Sequence, residues 1–193
     1  FLFCFSISID ASLAKENRGK GDGRKENWKS ALQGSPDIEA CRLKVKNNPK
    51  SADAHNDLGW ALRQHDKLEE AEKELRKALE LDDTIPWGHS NLSVILLDTG
   101  RIKEAVKEAK RAVEIDDKSP VFRVVYGNAL DADKQYAEAD EQYKAAIERQ
   151  PNYENAYYHL GRVLYSQGKS ADAGAVLSQA FNLDPEDTRV MKL

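Results

Sequence analysis

The sequence predicts an all-α array of four stacked helical hairpins, and three observations support this prediction. The pattern of residues 154–187 recurs every 34 residues, in copies that start at Ala52, Pro86, Pro120 and Glu154 without insertion or deletion. Each copy contains two apolar-periodic stretches of about 13 residues, the signature of amphipathic helices. Each also keeps small side chains at three fixed places. Because one hairpin cannot bury its own apolar stripes, neighbouring copies must stack.

The small residues determine how closely the two helices of a hairpin can cross. The eighth place of each copy holds Gly or Ser, and the twentieth and twenty-seventh hold Ala. A larger side chain would push the backbones apart, which typically costs about 1–3 kcal/mol. The break between the two helices is expected near Asp66, Gly100, Lys134 and Gly168. Asp-Asp or Asp-Pro pairs then end second helices and turn the chain into the next copy.

The pattern resembles the tetratricopeptide repeat family, whose motif has Leu-Gly in the first helix and Ala, Ala and Pro at later places. In the fourth copy these places hold Leu160-Gly161, Ala173, Ala180 and Pro185. The resemblance covers residues 52–187 and implies a right-handed superhelical solenoid of helix-turn-helix hairpins. The four hairpins have the bounds 52–85, 86–119, 120–153 and 154–187.

Two places depart from the family motif. The fourth place, which is bulky in the family, is polar in three copies, as His55, His89 and Arg123. The terminal Pro of the motif is replaced by Asp83 and Asp117 in the first two copies. These departures bear on local geometry, and the predicted fold does not depend on them.

Two segments at the start of the chain are unlike the repeats. Residues 1–14 are mostly apolar and end in Ser12-Leu13-Ala14, which resembles the back half of a secretory signal peptide with its cleavage site. The alternatives are a short strand, or an uncleaved anchor if a longer apolar run precedes it. Residues 15–34 are charged and rich in glycine, so we expect a flexible linker.

A capping helix is expected within residues 35–51. Ser35-Pro36 is a favourable start, with Ser as N-cap and Pro at the first helical position. Ile38, Cys41 and Val45 then lie on one apolar face, and an Asn-Asn-Pro run ends the helix. A half-repeat of this kind would cover the open end of the stack. Cys41 is expected to be a buried, inert thiol, with a disulfide to a partner chain as the alternative.

The charge distribution argues against nucleic-acid binding by the repeats. The net charge is −4, but residues 15–51 carry ten Lys and Arg against five Asp and Glu, while residues 52–193 carry nineteen against twenty-seven. Phosphate binding requires clustered Lys and Arg, which an acidic array does not offer. The basic segment before the array is interpreted as a solvated linker, with contact to an acidic surface as the alternative.

No catalytic, cofactor or metal site is predicted. His55 and His89 share the fourth place of adjacent copies, and a metal ion there would need further ligands such as Asp53 or Asp57. We favour partly buried histidines that pack between hairpins. No glycine-rich phosphate loop follows a strand, and no nucleophile motif is visible. The chain is therefore expected not to be an enzyme.

The family resemblance implies where a partner would bind. In the family, the first helices line a concave groove with their second, fifth, ninth and twelfth places. Carried over, the candidates are Asn56, Trp60, Arg63, Trp87, Ser90, Leu97, Val124, Asn128, Asn155, Tyr158, Arg162 and Tyr165. The remaining places hold Asp53, Val94, Val121 and Asp131, of which Val94 and Val121 alternatively pack between hairpins. The Lys/Arg/Asn clamp of relatives that grip acidic tails is missing, so the expected partner is an extended or helical protein segment with apolar side chains.

These observations predict a non-catalytic scaffold for protein–protein interaction, acting as an adaptor or assembly factor in the cell envelope. The alternatives are a permanent structural subunit of a larger exported complex, or a regulatory fragment of a longer enzyme-linked chain. Residues 188–193 leave the last helix with an exposed end face that includes Val176, where another molecule or a second copy could bind. Export to the periplasm or envelope depends on the signal-like segment; without it the chain would be cytoplasmic. No membrane contact is predicted beyond a signal or anchor.

Overall fold

The computed structural model describes residues 37–187 and 189–190, and the regular secondary structure in these residues is helical. The helices are α1 Ile38–Asn47, α2 Ala52–Gln64, α3 Leu68–Leu81, α4 Pro86–Asp98, α5 Ile102–Ile115, α6 Pro120–Ala132, α7 Tyr136–Arg149, α8 Glu154–Ser166 and α9 Ser170–Leu183. The predicted all-α repeat fold is confirmed. The signal-like segment, the linker and Ser35-Pro36 lie outside the described residues.

The described residues form two compact units, one within residues 1–81 and the other within residues 82–193. In the first unit, α2 and α3 form the hairpin of the first copy, and α1 packs against α2. In the second unit, the hairpins are α4/α5, α6/α7 and α8/α9. There α5 packs against α6 and α7 against α8, so each second helix meets the first helix of the following hairpin.

The capping helix starts later than the sequence suggests. Its N-cap is Asp37, whose side chain accepts a hydrogen bond of 2.9 Å from the Glu39 N–H. The prediction of Ser35 as the cap is therefore wrong, because Asp37 supplies an equally good capping oxygen two residues closer to the apolar face. That face is as expected, with Cys41 buried. Burial raises the pKa of the Cys41 thiol, which keeps it protonated and unreactive.

The break between the two helices falls at the fifteenth place of every copy. Asp66, Gly100, Lys134 and Gly168 all have positive φ angles, of 59°, 77°, 62° and 77°. Glycine adopts this left-handed conformation without penalty, whereas a Cβ makes it unfavourable. The turn conformation is thus the same in every copy, and the first and third copies adopt it with the strained residues Asp66 and Lys134.

The eighth and twenty-fourth places form what we call the hairpin seam, where the two helices of one hairpin meet. A Cβ built on Gly127 would lie 2.5 Å from the Tyr143 ring, and one on Gly161 would lie 2.6 Å from Leu177. In the second copy Ser93 replaces the glycine, and the twenty-fourth place holds the small Ala109. The Ser93 hydroxyl donates a hydrogen bond of 2.9 Å to the Ala105 carbonyl. A small residue at one place therefore accompanies a larger one at the other, and the predicted close crossing of the helices agrees with these contacts.

The alanines of the repeat pattern lie inside the hairpins. At the twentieth and twenty-seventh places, the exposed fraction is at most 1% for Ala71, Ala78, Ala105, Ala112, Ala139, Ala146, Ala173 and Ala180. These positions leave no room for a longer side chain without displacement of a helix.

The polar residues at the fourth place tie each first helix to its surroundings. His55 Nδ1 lies 2.6 Å from Glu74 Oε2 on the second helix of the same hairpin, and His55 Nε2 lies 3.2 Å from the Pro49 carbonyl. His89 repeats this arrangement with Glu108 at 2.7 Å and the Asp83 carbonyl at 3.0 Å. Each histidine thus joins its own second helix to the loop before its first helix.

In the last two copies, other side chains at the fourth place make the same hydrogen bond to the loop before the first helix. Arg123 donates to the Asp117 carbonyl at 3.0 Å and to Gln142 Oε1 at 3.1 Å. Tyr157 donates to the Pro151 carbonyl at 3.0 Å. The side chain at the fourth place therefore satisfies a loop carbonyl in all four copies, whether or not the bulky family residue is kept.

Neither a metal cluster nor a membrane-spanning helix occurs within the described part of the chain. No group of three or more His, Cys, Asp and Glu side chains there is arranged to hold a metal ion. None of the described helices combines the length and apolar character that crossing a bilayer demands. The fourth-place histidines are each paired with a glutamate on the second helix of their own hairpin, whereas the sequence favoured packing between hairpins.

Candidate partner-binding surface

In the first unit, the candidates lie on the exposed side of α2. Trp60 and Arg63 are half-buried, and the guanidinium carbon of Arg63 lies 5.2 Å from the centroid of the Trp60 ring. This distance is in the range of a cation–π contact. Asn56 is buried. The first helix of this unit therefore presents an indole and a guanidinium group, and the buried amide lies beneath them.

In the second unit, the first helices α4, α6 and α8 lie side by side, with α4 packed against α6 and α6 against α8. Trp87 contacts the edge of Phe122 on the next first helix, with ring centroids 4.7 Å apart and an angle of 71° between the planes. This edge-to-face geometry is favourable for aromatic pairs. Trp87 is still half-exposed, so part of the indole is open to a partner.

Arg162 of α8 is held by residues from two helices. Its guanidinium group donates to Asp131 Oδ2 of α6 at 3.1 Å and lies 3.5 Å from His159 Nδ1. The guanidinium carbon lies 6.0 Å from the centroid of the Tyr158 ring. Burial raises the pKa of Asp131, and the nearby Arg162 charge opposes that shift. The pair thus joins two hairpins through a partly shielded charge contact.

A buried polar cluster lies beneath this pair. The Tyr143 hydroxyl donates to Asn128 Oδ1 at 2.8 Å, and the Tyr143 ring stacks on His159 at 5.7 Å with an angle of 17°. Burial and the neighbouring Arg162 charge hold the pKa of His159 well below its usual value of 6.5. Burial also raises the pKa of Tyr143 well above 10.0. Because His159 is neutral, its Nδ1 can accept from the guanidinium group.

Arg189, from the segment after α9, completes the surface. It donates to Asn155 Oδ1 at 2.8 Å, and its guanidinium carbon lies 4.8 Å from the Tyr158 ring centroid. The same guanidinium group pairs with Asp187 at 2.8 Å. The side-chain hydrogen bond from Arg189 lowers the pKa of Asp187. Tyr158 therefore lies close to two guanidinium groups, each of which has its own carboxylate.

Sequence reasoning missed Arg189, although the repeat frame could have found it. Arg189 lies 34 residues after Asn155 and so occupies the second place of a following copy. Asp187 lies at the N-cap place of that frame, where Ser51 caps α2, and accepts a hydrogen bond of 2.9 Å from the Arg189 N–H. Asp187 and Arg189 therefore keep the register of the repeat, and Arg189 contacts α8 at Asn155.

The twelve candidates from the sequence fall into three groups by exposure. The buried ones, whose side chains are enclosed by neighbouring groups, are Asn56, Ser90, Val124, Asn128 and Asn155. The half-buried ones are Trp60, Arg63, Trp87, Leu97, Tyr158 and Arg162. Tyr165 is 56% exposed. Val94 and Val121 are buried, in agreement with the alternative that they pack between hairpins. We call the accessible residues of the second unit the α4–α6–α8 surface: Trp87, Leu97, Tyr158, Arg162, Tyr165 and Arg189.

Comparison with protein-family models identifies the repeats. Three models described as tetratricopeptide repeat match the chain, over residues 52–85, 89–119 and 130–193. Together the matches take in most of the residues that follow the capping helix. A search of curated proteins finds no match to the sequence.

Solved structures with the same fold share little sequence with this chain. A crystal structure of MamA has a TM-score of 0.66 and 19% identity, covering 89% of this chain and 99% of that one. TTC0263, described as a thermophilic TPR protein in Thermus thermophilus, has a TM-score of 0.72 and 15% identity, with 80% and 85% covered. PilF of Pseudomonas aeruginosa has a TM-score of 0.69 and 21% identity, with 80% and 72% covered. At these identities the likeness establishes the fold alone.

Proposed function

Because the chain belongs to the tetratricopeptide repeat family, whose hairpins generally serve protein–protein interaction, we propose that it is a non-catalytic scaffold that binds a segment of another protein. The observation that carries the proposal is the α4–α6–α8 surface. The first helices α4 and α8, with α6 between them, leave Trp87, Tyr158 and Tyr165 partly or largely exposed on one unit. Aromatic and Arg side chains of this kind are the residue types enriched at protein interfaces.

The charges of the surface favour a partner segment with apolar side chains. Arg162 is paired with Asp131, and Arg189 is paired with Asp187. A partner carboxylate would have to compete with these intramolecular carboxylates, so the surface is a poor clamp for an acidic tail. The rings of Trp87 and Tyr158 instead offer apolar area with polar groups at the margin. A segment that places an apolar side chain against each ring fits this chemistry.

Several features support an exported adaptor or assembly factor. Residues 1–14 resemble part of a signal peptide, which favours the periplasm or the cell envelope as the place of action. The half-exposed rings and the paired charges form a mixed surface, as is common at non-obligate interfaces. A permanent structural subunit of an exported complex is the second candidate, and a regulatory part of a longer enzyme-linked chain is the third.

Affinity purification of the full chain from its native cells tests the function and separates the candidates. A set of proteins at substoichiometric amounts indicates an adaptor or assembly factor, whereas one partner at a fixed ratio indicates a subunit. The Trp87→Ala, Tyr158→Ala double variant should lose the captured proteins while its helical circular dichroism is unchanged. Leu43→Ala is the matched control, because Leu43 is an exposed apolar residue of α1 that belongs to no first helix. Equal capture by the double variant and the wild type would contradict the proposed surface.

A further inference from the structure

The first turn of α4 carries Trp87 of the α4–α6–α8 surface but has no side-chain cap. Its N-cap residue, Ile85, makes no side-chain hydrogen bond, whereas Ser51 caps α2 by accepting from the Ala54 N–H at 3.1 Å. The first turn of α4 also contains no acidic residue, which would favour the N-terminus of a helix. Because an uncapped helix start is less stable, other contacts must hold Trp87 in place.

His89, two residues after Trp87, supplies such contacts. Its Nε2 lies 3.0 Å from the Asp83 carbonyl in the loop before α4, and its Nδ1 lies 2.7 Å from Glu108 Oε2 on α5. The ring is buried within the hairpin. The imidazole thus joins the first turn of α4 to the preceding loop and to the second helix of the same hairpin.

Both ring nitrogens of His89 face oxygen atoms that only accept hydrogen bonds. A carbonyl oxygen carries no hydrogen, and neither does the carboxylate of an ionised glutamate. A neutral imidazole has one N–H group and satisfies one of the two acceptors, whereas the doubly protonated ring satisfies both. Burial lowers the pKa of His89, but the hydrogen bonds with Glu108 and the Asp83 carbonyl outweigh it, and the net pKa is raised. The folded protein therefore holds the second proton more firmly than a free histidine does.

The charged groups around His89 come mainly from α5. Glu108 favours the charged ring, and the charge of Arg111, also on α5, opposes it. Apart from His89, α4 has one charged residue, Asp98, at its opposite end. Because the helix dipole disfavours a cation in the first turn, the charge of His89 depends on Glu108. Three further charged groups on neighbouring elements are held by other partners: Asp82, Arg123 and Asp131.

We propose that the doubly protonated ring of His89 positions Trp87 on the α4–α6–α8 surface, and that a rise in pH past neutral releases this turn and weakens partner binding. The inference rests on the proposed function of that surface. Loss of one proton leaves a ring that can donate to Glu108 or to the Asp83 carbonyl, but not to both. The first turn of α4 then loses one of its two connections, and the Trp87 indole is held chiefly by its edge contact with Phe122.

The third copy makes the same connection without a group that titrates near neutral pH. Arg123 donates to the Asp117 carbonyl at 3.0 Å and to Gln142 Oε1 at 3.1 Å. The two side chains are 19 residues apart in this copy, as they are in the second copy. Because an arginine stays charged throughout this pH range, the double substitution His89→Arg, Glu108→Gln transfers a pH-independent pair to α4 and α5.

Tryptophan fluorescence tests the positioning of Trp87 without any partner. The full chain has three tryptophans, so Trp28→Phe and Trp60→Phe leave Trp87 as the only source of the signal. The emission maximum of Trp87 should move to longer wavelength between about pH 6.5 and 8.5, because the indole becomes more exposed as His89 loses its proton. Acrylamide quenching should increase over the same range.

Two double variants in this background separate the role of His89 from other effects of pH. His89→Arg, Glu108→Gln should abolish the transition, whereas His55→Arg, Glu74→Gln makes the same exchange in the first copy and should leave it unchanged. Circular dichroism confirms that both variants are folded. The proposal is overturned if the Trp87 transition persists in His89→Arg, Glu108→Gln. Nuclear magnetic resonance of the ring nitrogens provides a second readout, and a neutral His89 ring at about pH 6 would also overturn it.

The effect on binding is measured with the proteins that the immobilised full chain captures from its native cells. Proteins bound at about pH 6.5 should elute from the wild type as the pH is raised to about 8.5, and should stay on His89→Arg, Glu108→Gln. Equal elution from both chains would overturn the regulation of binding. A chain that captures no protein contradicts the proposed function instead, and the fluorescence of Trp87 then still decides the role of His89.

Discussion

The hairpin seams and the α4–α6–α8 surface both use residues of the first helices, but their residues vary differently from copy to copy. In the seam, Gly127 accompanies Tyr143, and where Ser93 replaces glycine the partner shrinks to Ala109. On the surface, by contrast, the twelfth place changes from Leu97 to Tyr165 with no compensating pattern. The repeat thus determines how the two helices of a hairpin pack. It leaves the exposed side of the first helices free to vary under selection for a partner.

The largest expected effect comes from enlarging a seam residue. Gly127→Ala puts a methyl group 2.5 Å from the Tyr143 ring, which must move within a fully buried site. We expect the free energy of unfolding to fall by about 2–3 kcal/mol. Gly174→Ala is the matched control, because the same methyl group enters open space on a helix and should stabilise by up to about 1 kcal/mol. Urea unfolding of both variants measures the contrast, and equal effects would contradict the seam.

The pairing within a seam can be exchanged between copies. Ala109→Leu alone should cost about 1–3 kcal/mol of the free energy of unfolding, because Ser93 leaves no room for the longer side chain. Adding Ser93→Gly recreates the Gly–Leu pair of the first and fourth copies and should recover most of that loss. The double-mutant cycle from denaturant unfolding reports the coupling. Strictly additive changes would show that the eighth and twenty-fourth places do not act as a pair.

Two histidines predict opposite dependences of stability on pH. Burial lowers the pKa of His159. Its contribution to the free energy of unfolding is therefore complete above about pH 6.5 and is lost as the pH falls below that value. Burial lowers the pKa of His89, but hydrogen bonds with Glu108 and the Asp83 carbonyl outweigh it, and the net pKa is raised. The contribution of His89 to the free energy of unfolding is therefore complete below about pH 6.5. It is lost as the pH rises through the pKa of His89 in the folded protein.

Single substitutions separate the two contributions. His159→Gln should reduce the loss of stability between about pH 6.5 and 5, and His89→Gln should reduce the loss above about pH 6.5. Urea unfolding across this range measures both, and His65→Gln is the control because His65 is exposed. The assignment is wrong if His159→Gln and His89→Gln change the pH profile in the same direction.

The smallest effect is expected at the turn between helices. Lys134 has a φ of 62°, where the second and fourth copies have Gly. Lys134→Gly removes the strain of a Cβ in the left-handed region and should raise the free energy of unfolding by about 1 kcal/mol. Asp66→Gly should gain less, because Asp tolerates this conformation better than Lys. A melting temperature that falls in Lys134→Gly would contradict the account of the turn.

The sequence was sufficient for the features that recur with the repeat. The helical repeat fold, the break at Lys134 and the close approach at Gly127 all follow from residues at fixed places of the 34-residue frame. The capping helix was harder, because Ser35 and Asp37 are both good capping residues and their local signals compete.

Contacts between distant places could not be read in the same way. The hydrogen bonds of His89 involve Glu108, nineteen residues later, and the carbonyl of a loop residue. No sequence pattern predicts these partners. The burial of Ser90 and Val124 depends on how closely adjacent first helices pack. Arg189 was overlooked because its role depends on its contact with Asn155 of α8.

We propose that the α4–α6–α8 surface binds a protein segment. The affinity of the purified chain for its captured partner measures this binding. The Trp87→Ala, Tyr158→Ala double variant removes two ring anchors and leaves every seam residue in place. At about 2 kcal/mol per anchor, and about 1.4 kcal/mol for each tenfold change, isothermal titration calorimetry should show the affinity falling by at least about 100-fold. A dissociation constant within about threefold of the wild-type value, in a variant of unchanged helicity, would contradict the claim.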